Sequence, residues 1–116
     1  MSKFLTFIGF VCIWISPIQA DTIAVIGTGS VGGALGPEFA ALGHTVIYGS
    51  RDPNSEKVRA LIEKTGHGAR ATKPADAAVA AEIVLLAVPG MRVKEIVEDL
   101  GDLSEKVIVD PTNPLV

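Results

Sequence analysis

The chain has 116 residues, room for one domain and not two. Its formal net charge is −3 with acidic and basic residues interspersed, so it lacks the basic patch of a nucleic-acid binder. A single cysteine (Cys12), no C-x-x-C and no clustered histidines exclude an internal disulfide and give no reason to expect a bound metal.

Residues 1–20 differ from the rest. Lys3 gives a short positive region, Phe4 to Ile15 is uncharged and mostly apolar, and Ser16-Pro17-Ile18-Gln19-Ala20 ends on a small residue before Asp21. This is the layout of a secretory signal peptide cleaved after Ala20, which predicts a secreted or periplasmic protein. The alternatives are an uncleaved N-terminal anchor and a wrongly extended start on a cytoplasmic protein. The apolar run is short for a membrane span, which needs ~20 residues, so no stable span is expected after cleavage. The single folded domain is then residues 21–116.

Ile23-Ala24-Val25-Ile26 reads as a strand, and Gly27-Thr28-Gly29-Ser30-Val31-Gly32 follows it directly. A helix-like run to Leu42, a stop at Gly43-His44 and the β-rich Thr45-Val46-Ile47-Tyr48 complete one βαβ unit. The glycines occupy the three fixed places of G-x-G-x-x-G between strand and helix. In that context the pattern is the dinucleotide-binding fingerprint. Gly27 allows the sharp turn, Gly29 lets backbone approach a pyrophosphate, and Gly32 lets the helix sit close to the strand. The pyrophosphate is expected on free N–H groups at the helix N-terminus. Gly33, Gly36 and Pro37 suit a helix interior poorly, and a kink or loosened turn is expected near Gly36.

The end of the second strand discriminates between cofactors. A free ribose 2′-hydroxyl usually meets a carboxylate about 20 residues past the glycines. Here the chain reads Tyr48-Gly49-Ser50-Arg51. Ser50 can donate to a phosphate oxygen and Arg51 offers a planar, charged fork, so NADP(H) is expected over NAD(H). Asp52-Pro53 is expected to cap and start the next helix, with Val58, Leu61 and Ile62 inward and Gly66 at its end. Lys57 on its first turns can reach a 2′-phosphate, or be a solvated lysine. His67 is expected in an exposed turn, and His44 in a structural role.

Ala69 to Thr72 can form a short third strand, and Lys73 to Ala81 a short helix with Pro74 in its first turn. Ile83-Val84-Leu85-Leu86-Ala87-Val88 is continuously apolar, as in a central parallel strand covered on both faces. Ala87, Val88 and Pro89 then lie at a strand's carboxyl end, where ligands sit in open parallel sheets, and leave room for a flat ring and a ribose. Met91 to Leu100 is expected to be helical, and Lys106 to Val109 a fifth strand. Asn113 can hydrogen-bond a carboxamide or ribose, and Asp110 can orient a loop or contact a substrate. Each is equally a turn residue, because Asp-Pro and Asn-Pro initiate turns. The alternation predicts an α/β protein: a Rossmann-type, doubly wound parallel sheet in three αβα layers, as a single domain. No catalytic acid, base or nucleophile stands out.

Thr22 to Pro114 resembles the NADP-binding domain of the coenzyme F420-dependent NADP oxidoreductase family. The resemblance is carried by Ile26 to Gly32, Leu42-Gly43-His44, Gly49-Ser50-Arg51, Ala87-Val88-Pro89 and Ile108 to Pro114. It is similar also to the cytosolic part of membrane metalloreductases. The resemblance implies Thr28, Gly29, Ser30 and Val31 on the pyrophosphate, Ser50 and Arg51 on the 2′-phosphate, and Val88-Pro89 near the nicotinamide. It implies a reductase passing hydride between NADPH and a deazaflavin (F420) or flavin, with the acceptor-binding part in a further segment or in a partner chain or homodimer. The alternatives are a non-catalytic NADP(H)-sensing module and a truncated fragment.

Overall fold

The computed structural model describes residues 20–111. The signal-like segment up to Gln19 and Asn113 lie outside them. The elements in chain order are β1 (Thr22–Ile26), α1 (Ser30–Ala41), β2 (Thr45–Gly49), α2 (Glu56–Thr65), β3 (Arg70–Thr72), α3 (Pro74–Val79), β4 (Ile83–Leu86), a 3₁₀ turn (Gly90–Arg92), α4 (Val93–Asp99) and β5 (Val107–Val109).

The five strands form one parallel sheet in the order β3-β2-β1-β4-β5. After β3 the chain crosses over β2 and β1 to place β4 on the far side of β1. The point where strand order reverses, between β1 and β4, opens a crevice at the strands' carboxyl ends. This is the expected Rossmann-type architecture.

Side chains alternate across the sheet with period two. Ile23 and Val25 of β1, Val46 and Tyr48 of β2 and Leu85 of β4 pack with Leu35, Phe39 and Ala40 of α1 and Leu61 and Ile62 of α2. Ala24, Ile26, Ile47, Val84 and Leu86 face the other way, against Ala77 and Ala78 of α3 and Ile96 and Val97 of α4. Both faces are therefore covered, which is why β1 and β4 read as unbroken apolar runs. The outer strand differs: Val107, Ile108 and Val109 of β5 are exposed.

Several boundaries depart from expectation. Asp52-Pro53 does not start α2. Asp52 instead opens a turn, accepting the Ser55 N–H at 3.2 Å on its carbonyl oxygen. Ser55 is the N-cap, its hydroxyl accepting the Val58 N–H at 3.3 Å. β4 ends at Leu86, before Ala87-Val88, although the Ala87 N–H still reaches the Ile26 carbonyl at 2.9 Å. Met91 lies in the 3₁₀ turn, and regular helix begins only at Val93. Helix α1 runs unbroken through Pro37 where a loosened turn was expected, and Tyr48 explains the glycine at position 36. A Cβ on Gly36 would collide with the Tyr48 phenol, which α1 covers.

Tyr48 is fully buried and its hydroxyl lies 2.7 Å from the Thr65 hydroxyl. Thr65 spends its one proton on the Leu61 carbonyl at 2.7 Å, so the Tyr48 O–H donates to Thr65. That pair ties β2 to the last turn of α2. The His44 imidazole accepts the Asp21 N–H at 3.1 Å on Nδ1, a structural role, and His67 is exposed with φ of 53°.

Candidate functional site

Backbone hydrogen bonds bring four strand ends together. The Gly27 N–H donates to the Gly49 carbonyl at 3.0 Å, the Ser50 N–H to Thr72 at 2.9 Å, and the Ala87 N–H to Ile26 at 2.9 Å. Gly27 turns the chain with φ of 107°, so close to β4 that a Cβ there would collide with the Ala87 carbonyl oxygen. Gly32 brings α1 against the same turn, where a Cβ would meet the Gly27 carbonyl oxygen. Above Gly29, by contrast, the space is open: no atom approaches a built Cβ within 4 Å.

Helix α1 begins behind Gly29 with no side-chain cap and no acidic residue in its first turn. Its first N–H groups have no intrahelical acceptor and carry the positive end of the helix dipole. They point to the open space over Gly29 and suit an anion.

Two clefts flank this turn. The first, of about 490 Å³, runs from Gly27, Thr28 and Gly29 to Gly49, Ser50, Arg51 and Asp52. Its lining also includes Pro74 of α3, Arg92 just before α4, and Glu95, Ile96 and Asp99 along α4. The second, of about 480 Å³, lies between Ser30-Val31 and Leu86 to Gly90, with Pro111 beside it. Gly29, Ala87, Val88 and Pro89 line both, so the two clefts meet over the glycine turn. Of the expected residues within the described ones, Gly27 to Val31, Ser50, Arg51 and Ala87 to Pro89 each line one of them; Gly32 is buried beneath the turn, and Asp110 lines neither.

The chemistry at Ser50 and Arg51 is specific. The Ser50 hydroxyl oxygen accepts the Asp52 N–H at 3.1 Å, which leaves its proton free to donate. The Arg51 side chain is exposed at the rim, while its carbonyl oxygen accepts from Lys73 Nζ at 3.2 Å. A hydroxyl donor and a guanidinium fork side by side can hold a phosphate monoester. Lys57 lines neither cleft. The second cleft is uncharged and mostly apolar, with Val31, Leu86, Val88, Pro89 and Pro111 on its walls. It can seat a flat ring, and among the described residues it carries no ionisable side chain. Among the described residues, no group of three or more His, Cys, Asp or Glu is placed to hold a metal, and no helix is long and apolar enough to cross a membrane.

Two features escaped the sequence reading. In the sequence Lys73 reads only as the start of a helix, and Arg92 only as a residue of one. Lys73 reaches Arg51 because β3 pairs in parallel with β2, which sets the strand ends side by side. Arg92 reaches the cleft because β4 pairs with β1. Neither pairing leaves a local signal beyond a positive charge just past a strand end.

Residues 22–114 match the family model for coenzyme F420-dependent NADP oxidoreductases. The chain belongs to this family. It is 38% identical over 106 residues to the F420-dependent NADP reductase of Methanothermobacter thermautotrophicus, across 84% of this chain and 45% of that protein. The crystal structure of a candidate F420-dependent NADP reductase from Arthrobacter sp. FB24 superposes with a TM-score of 0.74 at 33% identity, covering 83% of this chain and 46% of that one. The imine reductase BcSIRED of Bacillus cereus BAG3X2 follows the same fold, with a TM-score of 0.64 at 28% identity over 79% of this chain and 32% of that one. The chain thus spans about half the length of the F420-dependent NADP reductases it matches.

Proposed function

We propose that this chain is the NADP(H)-binding part of a reductase that exchanges hydride between NADPH and a deazaflavin (F420), a flavin or a similar acceptor. The observation that carries the reading is the shared cleft: Ser50 and Arg51 line the same hollow as the Gly27 to Gly29 turn. Family membership and the named activity of the Methanothermobacter relative support it.

In this reading the Thr28 to Val31 turn and the first amides of α1 take the pyrophosphate. Ser50 and Arg51 take the 2′-phosphate by charge-assisted hydrogen bonds. Ala87, Val88 and Pro89 form a floor beneath the nicotinamide, which supplies the hydride when bound. Hydride transfer between stacked rings asks for positioning and dryness more than for an acid or base. The uncharged second cleft suits that demand. The acceptor is expected to be held by a segment or partner beyond the described residues, since the relatives are about twice as long as the match.

A second reading, a binding-only NADP(H) module, draws on the same half-length match. The two are separated by mixing the full chain with NADPH and oxidised F420 or a flavin and following acceptor reduction. Turnover, by the chain alone or with a supplied partner, establishes the reductase reading. NADPH binding with no turnover in any combination establishes the binding-only reading.

A further inference from the structure

We infer that Arg92 is a second cationic clamp for the adenosine 2′-phosphate, set on the wall opposite Arg51 and held in readiness by Glu95. This rests on the NADP(H) reading and names a residue that it does not require.

Arg92 ends the 3₁₀ turn after β4, whereas Arg51 follows β2, and β2 and β4 flank β1 on its two sides. The two guanidinium-bearing residues therefore approach one cleft from different strands, and both line it. The acidity of that lining makes each arginine matter to a bound phosphate. It contains three carboxylate residues, Asp52, Glu95 and Asp99, against two arginines. A phosphate monoester brings about −1.5 to −2 further charge at neutral pH. Without Arg92 the excess of carboxylates over cations in the lining doubles from one to two, and neither Lys57 nor Lys73 lines the cleft to offset it, although Lys73 stands beside the Arg51 turn.

Arg92 is also loosely committed. Its Nη2 sits 3.7 Å from Glu95 Oε1, beyond hydrogen-bond distance, and both side chains are solvent-accessible at 39% and 68%. An exposed pair of this kind contributes little to stability, so exchanging the carboxylate for a phosphate costs little. Glu95 then keeps Arg92 beside the cleft before binding and competes with the phosphate for it.

The test uses titration calorimetry of the full chain with 2′,5′-ADP and with 5′-AMP, which differ only in the 2′-phosphate. Arg92→Gln is expected to weaken 2′,5′-ADP roughly tenfold, the worth of a hydrogen bond to a charged group, and to leave 5′-AMP within about twofold. Arg92→Lys is expected to recover part of the loss. Glu95→Gln is expected to tighten 2′,5′-ADP, and the gain should shrink in the double variant with Arg92→Gln to what the loss of one repelling carboxylate gives. Unchanged 2′,5′-ADP binding in Arg92→Gln, or equal losses for the two nucleotides, overturns the inference alone. A wild-type chain that does not prefer 2′,5′-ADP over 5′-AMP overturns the NADP(H) reading together with it.

Discussion

Lys73 Nζ donates to the carbonyl oxygen of Arg51 at 3.2 Å, bridging 22 positions of sequence at the carboxyl ends of β2 and β3. The contact fastens the turn that presents Ser50 and Arg51 and sets an ammonium beside it. Removing it frees the turn and withdraws a nearby positive charge. Lys73→Met should weaken NADPH by roughly threefold to tenfold, as expected for one exposed, charge-assisted hydrogen bond. The melting temperature should hardly change, because the contact is at the surface. Calorimetry and a thermal melt on the same sample check both halves.

Gly36 faces Tyr48 with no room for a methyl group: a built Cβ lies 2.6 Å from Cζ and 2.8 Å from Cε1 of the ring. The ring is fully buried and cannot swing away without losing Thr65. Gly36→Ala raises helix propensity, but overpacking and the strained hydrogen bond should outweigh it, for a net loss of about 2–3 kcal/mol. Urea unfolding measures this. A stabilised variant would mean that α1 can lift off β2 freely.

Tyr48 also sets a pH dependence. Burial pushes its phenol above the ordinary value of 10.0. The folded state thus favours the protonated phenol. Its contribution is fully present below the unfolded value and is lost as pH rises through the folded one. Stability should therefore fall with a steeper slope above about pH 10 in wild type than in Tyr48→Phe. Below that pH, Tyr48→Phe should be less stable by about 1 kcal/mol, for the lost hydrogen bond. Urea midpoints across pH 8 to 11 read the difference.

The sequence made β1, the glycine turn, α1 and β2 legible because each rests on local chemistry: an apolar run, glycines at fixed places, a Gly43 stop. The start of α2 was misplaced because Asp52-Pro53 has the local chemistry of a cap and first turn, whereas the chain makes one more turn through Asp52-Pro53-Asn54 before Ser55 caps the helix. The apolar run at β4 could not show where pairing stops, since Ala87 and Val88 are as apolar as Leu86. They leave the ladder as the chain passes the Gly27 turn. Gly36 looked like a helix defect because its partner, Tyr48, is on another element. The Ser50-Arg51 pair was legible as a short motif, whereas Lys73 and Arg92 join it only through the parallel pairings of β3 with β2 and β4 with β1.

The central claim is that Ser50 and Arg51 select the phosphorylated cofactor. Its most direct measurement is the dissociation constant of NADPH and of NADH for the wild-type chain and for Arg51→Asp. The wild-type chain should bind NADPH more tightly. Arg51→Asp removes the fork and adds repulsion, so NADPH should weaken by roughly 100-fold and NADH by no more than about threefold. Equal affinities in the wild type, or equal losses for the two cofactors in Arg51→Asp, would contradict the account.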